Sequence, residues 1–115
     1  MDRTIKIFSN LNSASSDTTD SPPIPAGKIL VVSRIGGLDI NVGNNRSSFY
    51  LFQWGTVGAF SIFGAISVTG ATMEIALREQ LVGNGSKFIR ITRQNNELVA
   101  TPAKRCPCWI KGYDQ

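Results

Sequence analysis

This sequence predicts an all-β fold: an antiparallel β-sandwich or jelly roll of about eight short strands, preceded by an extended N-terminal arm. Three observations predict it. Apolar residues recur at every second position in several segments, as Leu38, Ile40 and Val42 do against Asp39 and Asn41. That is the period of a half-buried strand. Turn residues punctuate the chain at intervals of roughly 7–12 residues, the spacing of sandwiches and barrels. Strand-like segments do not alternate with helical ones, which argues against a parallel, doubly wound sheet.

The elements follow in order. Ile5 and Ile7 alternate with polar or basic neighbours over Thr4 to Phe8, which reads as a short strand. Asn10 to Pro25 is nearly all Ser, Thr, Asn, Asp and Pro. Alone in water such a segment buries too little to offset its ordering entropy, so it is expected to be a linker or an arm that orders on a partner. Residues 1–25 are therefore the N-terminal strand and polar arm, and 26–115 the sandwich domain. Lys28 to Ile35 reads as a buried strand through Ile29, Leu30, Val31 and Val32, closed by a Gly36-Gly37 turn. The Leu38 to Val42 strand follows, then a Gly43-Asn44-Asn45 turn. Ser48 to Trp54 is an aromatic strand with Phe49 and Leu51 on one face and Tyr50 and Phe52 on the other, broken by Gly55 and Gly58.

Ala59 to Phe63 and Ala65 to Thr69 read as two strands separated by Gly64, with Phe60, Ile62, Ile66 and Val68 turned inward, and Gly70 turns the chain again. Ala71 to Leu81 has the composition of a helix. Met73, Ile75 and Leu77 nevertheless keep period two, and the neighbours are strands, so a strand is expected. Gly83-Asn84-Gly85 reads as a hairpin turn. Ser86 to Thr92 and Glu97 to Thr101 read as a hairpin about Asn95-Asn96, and Cys108 to Lys111 as a short terminal strand.

Composition narrows the function. With 115 residues the chain is sized for one domain. Charged residues are 17% of it, below the usual ~25%, and neutral polar residues replace them. Such a surface suits extensive contact with neighbours. The net charge of +4 is mild and the basic residues are spread out. Lys87, Arg90 and Arg93 come nearest to a basic patch, which reads first as a solvated face and second as a nucleic-acid contact. Ser47 to Met73 carries no charge and is long enough to span a bilayer. Gly55, Gly58, Gly64 and Gly70, together with the Ser and Thr residues, make it too polar for a spanning helix, so no membrane role is expected. No secretory signal is expected either, because Met1 to Asn10 is charged and its apolar stretch is short.

The chain contains no histidine, so the usual base near neutral pH and every triad built on it are absent. Asp39, Glu74, Glu79 and Glu97 stand apart, with no spacing that suggests a two-carboxylate site. Gly83 to Gly85 precedes a strand rather than a helix, which removes the phosphate-loop reading. No enzyme, cofactor or small-molecule substrate is expected. Cys106 and Cys108 flank Pro107. Cysteines two apart rarely bond each other, and a metal would need further ligands. Two reduced, structurally placed thiols are expected, with sharing between copies the alternative. Asn45-Arg46-Ser47 and Asn84-Gly85-Ser86 match the glycan-acceptor pattern, which matters only on a secretory route.

Interfaces are low in charge at their centres and enriched in aromatics. Tyr50, Phe52, Trp54 and Trp109, with Cys106 and Cys108, are the interface candidates. Tyr50, Trp54 and Trp109 are also the sugar-binding candidates. Phe88, Arg90 and Thr92 share a strand face at period two, as a stacking surface for nucleic acid requires, although Phe88 reads first as core.

One resemblance adds to this. Pro25-Ala26-Gly27-Lys28 leads into an apolar strand, then Leu38-Asp39-Ile40-Asn41-Val42, then Ile66-Ser67-Val68-Thr69-Gly70-Ala71-Thr72-Met73-Glu74-Ile75. In texture and order, over about residues 25–82, this resembles small single jelly-roll virion proteins of bacteriophages, of the vertex (penton) or capsid-decorating type. The resemblance implies a structural protein that assembles with itself and with a larger shell protein. It implies a polar arm that docks on a neighbour, and a place in the virion after assembly in the host cytoplasm. A receptor- or glycan-binding module such as a fibre tip is the alternative, and a nucleic-acid-binding β-barrel the second.

Overall fold

The computed structural model describes residues 2–11, 16–38, 48–68, 72–95 and 104–115. Within them the chain is all β. Strands β1 (Asp2–Leu11), β8 (Lys104–Asp114), β3 (Ile29–Leu38) and β6 (Thr72–Val82) form one antiparallel sheet in that order. The second sheet is β7 (Phe88–Asn95), β4 (Ser48–Thr56) and β5 (Ala59–Val68), and the short β2 (Ser16–Asp20) lies along the free side of β7. Seven strands thus build two sheets of four and three, and the arm adds a five-residue edge. The expectation of about eight strands is corrected to seven, of which β1 is one. The strands pair as a folded-back ribbon, with β1 on β8, β2 on β7, β3 on β6 and β4 on β5.

The two sheets bury one layer between them. Leu30, Val32, Ile35, Leu81, Cys108 and Ile110 from the first meet Tyr50, Phe52, Ile66, Val68, Ile89 and Ile91 from the second. Each fully buried large apolar side chain contributes about 1.5–3 kcal/mol over leaving it in water. Two bulges set which residues join this layer. Val32 and Ile35 are three apart yet both buried, because the register shifts at Ser33. On β5 the shift between Phe52 and Gln53 of β4 leaves Phe63 as the extra residue. A one-residue change of phase moves a strand's side chains to the other face. Ile66 and Val68 therefore point inward, while Ile62 is 61% exposed, against the inward expectation. Gly64 does not separate a pair of strands, since β5 runs unbroken through it.

The Gly36-Gly37 turn is also corrected. Both glycines lie inside β3, where rings from other strands cover them. A Cβ on Gly36 would fall 2.3 Å from Trp109 Cε2, and one on Gly37 2.7 Å from Tyr50 Cε2. These positions are glycine because an aromatic ring occupies the side-chain space. The strand expected from Ala71 to Leu81 is present over its described residues as β6, with Leu77 and Leu81 against the core. Gly83 to Gly85 does not close a hairpin, because β6 and β7 belong to different sheets. Asn84 Oδ1 instead accepts from the backbone N–H of Ser86 and of Lys87, at 2.9 and 2.8 Å. The terminal strand is longer than expected and central, flanked by β1 and β3.

The arm differs most from its expectation. Its last residues are tied to the chain's own loop before β7. Ser21 N donates to Ile89 O at 2.8 Å, Ile24 N to Lys87 O at 2.9 Å and Gly85 N to Ile24 O at 3.0 Å. Ile89 N donates to Ser21 Oγ at 2.9 Å. Ile24 is fully buried, so a polar segment is anchored by its one large apolar residue beyond Leu11. The strand expected through Ile40 and Val42, the turns at Gly43-Asn44-Asn45 and Gly70, the hairpin strand Glu97 to Thr101 and the Asn45-Arg46-Ser47 pattern lie outside the described residues.

Candidate functional site

Two solvent-facing sheet surfaces carry the unusual chemistry. On the second sheet, cross-strand register puts Phe88, Gly55 and Phe60 in one row, and Asp20, Arg90, Gln53 and Ile62 in the next. Thr92, Leu51 and Ala65 follow. Gly55 leaves its row open, at φ 148°, so Phe60 and Phe88 meet across it edge-on at 5.4 Å between centroids. The Arg90 guanidinium lies 4.7 Å from the Phe60 centroid and 5.6 Å from that of Phe88. Asp20 holds it from the other side, accepting from Nε at 2.8 Å and from Nη2 at 2.9 Å. A two-pronged carboxylate contact plus ring faces fixes a guanidinium in place. The rest of the surface is apolar or neutral: Phe49 is 41% exposed, Ile62 lies largely in water, and Gln53 Nε2 donates to Thr92 Oγ1 at 3.0 Å.

On the first sheet, Trp109, Gly36 and Glu74 share a row across β8, β3 and β6. The indole fills the space over Gly36, and its Nε1 donates to Glu74 Oε2 at 2.6 Å. Lys111 Nζ lies 3.0 Å from the same oxygen, and Arg34 Nη1 3.5 Å from Oε1. The indole N–H first, then Lys111, holds the Glu74 carboxyl below its ordinary pKa, with partial burial opposing. Glu74 is committed as an acceptor to these donors and makes a poor proton carrier. Among the described residues no three His, Cys, Asp or Glu side chains group as a metal would require. The described residues include no helix long and apolar enough to cross a membrane.

The residues singled out from the sequence are scattered by this fold. Tyr50 and Phe52 are wholly buried core, because their face of β4 turns toward the first sheet, and they are unavailable as surface contacts. Trp54 packs partly buried against the same core. Trp109 alone of the four aromatics lies on an outer face. Cys108 is buried in the core. Cys106 lies two residues earlier on β8, opposite Ser9 in register. The basic candidates do not converge. Arg90 is on the outer face, Arg93 is buried on the inner one in register with Tyr50 and Asp17, and Lys87 sits in the preceding loop. Phe88 lies on the outer face with Arg90 and is half-buried there rather than in the core.

Sequence reading missed Phe49, Leu51, Phe60 and Ile62 as one outer surface. The available signal was the absence of charge from Ser47 to Met73. Glu74 was missed as well, and its signal is carried by Trp109, which lies far away in sequence.

No family model matches the chain, and no curated protein matches it. Among solved structures, dimeric latent PorU from Porphyromonas gingivalis is similar over 96% of this chain, at 8% identity and a TM-score of 0.35. The chain spans 13% of that protein's length. A likeness of that size carries no argument about fold or function.

Proposed function

We propose that this chain is a non-catalytic structural protein that assembles with copies of itself and with a larger shell protein. The observation that carries the reading is the outer face of β7, β4 and β5. It sets Phe49, Leu51 and Ile62 beside neutral polar residues, and its one central cation, Arg90, is already neutralised by Asp20. A surface apolar in this way, with little charge to desolvate, fits contact with another protein. The strand order, 1-8-3-6 beside 7-4-5 with β2 along β7, supports a jelly roll, a fold of viral capsid and lectin domains. The virion setting, as vertex, decoration or minor capsid protein assembled in the host cytoplasm, rests on the resemblance over residues 25–82. Light scattering on the purified chain tests the reading. Self-association that weakens in Phe49→Ser and Ile62→Ser variants is expected, and a strict monomer at high concentration removes it.

A receptor- or glycan-binding role is the second reading. It is favoured by the half-buried Trp109 indole on the opposite outer face, framed by Arg34, Glu74 and Lys111. Glycan binding lost in a folded Trp109→Ala variant supports it, and an unchanged affinity removes it. The nucleic-acid reading loses its basic patch in this fold, since Lys87, Arg90 and Arg93 occupy three different environments.

A further inference from the structure

Sheet edges expose unpaired backbone donors and acceptors, and proteins guard them with charge, proline or irregularity. The four edges here are not guarded alike. β1 carries Asp2, Arg3 and Lys6, β2 carries Asp17 and Asp20, and β6 carries Glu74, Arg78 and Glu79. β5, Ala59-Phe60-Ser61-Ile62-Phe63-Gly64-Ala65-Ile66-Ser67-Val68, carries neither charge nor proline. It ends its sheet, and no described strand pairs with its second side. Its one irregularity is the bulge at Phe63, which leaves Gly64 to Val68 as an uninterrupted stretch.

From this we propose that β5 is a homotypic pairing edge. Gly64 to Val68 pairs antiparallel with the same segment of a second copy, about a two-fold axis at Ile66, and joins the two copies' sheets into one. The inference rests on the assembly reading and names its partner and contact. Charge argues for the second copy as occupant. A two-fold pairing sets the strand against a copy of itself, so a net charge on it would meet the same net charge, and a neutral edge avoids that repulsion. An edge meant for a different, charged partner would carry the complementary charge. The side chains are also compatible. The axis sets Ala65 opposite Ser67 of the second copy, two small residues on the outer face. It sets Ile66 opposite Ile66 on the apolar side, where Ile66 and Val68 are already buried. Phe49, opposite Ser67 in register on β4, and Leu51, opposite Ala65, lie one strand back on the same outer surface. The new sheet would therefore extend that apolar surface across the junction.

The test uses the full chain. The wild type is expected to be a dimer by light scattering. Its β5 amides should gain protection from hydrogen exchange as concentration rises, while those of the charged edge β6 do not. A variant with Ala65→Lys and Ser67→Lys sets lysines against lysines and should dimerise at least about tenfold more weakly, and Ala65→Glu with Ser67→Glu should do the same. Mixed one to one, the two variants should form a mixed dimer. A wild type that stays monomeric at every concentration overturns both this pairing and the assembly reading. An oligomer untouched by both double variants, or formed without protection of β5, overturns the pairing and leaves assembly to another surface. The exchange measurement needs only the wild type, so it decides even where a variant fails to fold.

Discussion

Trp109 Nε1 donates to Glu74 Oε2 at 2.6 Å across the bare position of Gly36. One side chain thereby ties central β8 to edge strand β6 over the top of β3. The bond serves the ionised carboxylate, which sits below its ordinary pKa for that reason. A depressed carboxyl contributes stability above its unfolded pKa, and the contribution is lost as pH falls through the folded value. Glu74→Gln should therefore cost about 1 kcal/mol at neutral pH, discounted for its partial exposure. The gap between variant and wild type should narrow as pH drops below about 4.5. Urea denaturation at a series of pH values measures it, and a gap that does not change with pH would remove Glu74 from the account.

Gly36→Ala pushes a methyl into the indole, and overpacking of that kind costs about 1–3 kcal/mol. If the ring is the obstacle, the cost should disappear in a Trp109→Ala background, where alanine suits a strand better than glycine. A double-mutant cycle by denaturation then gives a coupling of about 0.5–3 kcal/mol. Additive costs would mean that Gly36 is required for another reason.

That relationship marks the boundary of what the sequence shows. The alternation of Ser48 to Trp54 and of Phe88 to Thr92 is local, and both strands form as expected. Period two also says that Tyr50 and Phe52 share a face, but not which face. The opposing sheet decides that, and it makes them core. Glycine pairs read as turns when only neighbours are considered. Gly36-Gly37 continues β3 because Trp109 and Tyr50, distant in sequence, fill the space above it. The bulges at Ser33 and Phe63 reverse the phase of a strand without a compositional mark, so Ile62 faces water. The outer face of β7, β4 and β5 was legible only as missing charge. Its Arg90–Asp20 contact joins the domain to a segment that reads as linker.

Ile24 and Ile62 make a direct test of this fold, because sequence reading ranks them in the opposite order. Ile24, in a Pro-rich stretch, is fully buried, and Ile62, in an apolar strand, is 61% exposed. Ile24→Ala should cost about 2–5 kcal/mol as a core truncation. Ile62→Ala should stay within about 0.5 kcal/mol of wild type, measured at a concentration where the chain is monomeric. Chemical denaturation of both variants settles the order, and equal costs would place Ile24 outside the core.

The Arg90–Asp20 contact should act locally rather than globally. β2 is five residues long at a sheet edge, and its links to β7 include backbone pairing, the two-pronged Arg90–Asp20 ion pair and a 3.4 Å contact between the Thr18 and Thr92 hydroxyls. Short edge elements open at much lower free energy than the whole domain. Arg90→Ala should therefore leave the main unfolding transition almost in place and speed amide exchange selectively across Ser16–Asp20. Arg90→Lys should recover some of the protection, since a lysine restores the charge but not the fork that matches a carboxylate. Raising salt in the wild type should speed exchange over the same residues in the same direction, because an exposed pair is screened. Unchanged exchange at β2 in Arg90→Ala would mean that the ion pair does not hold β2 in place, and a shift of the whole transition would mean that β2 unfolds only with the domain.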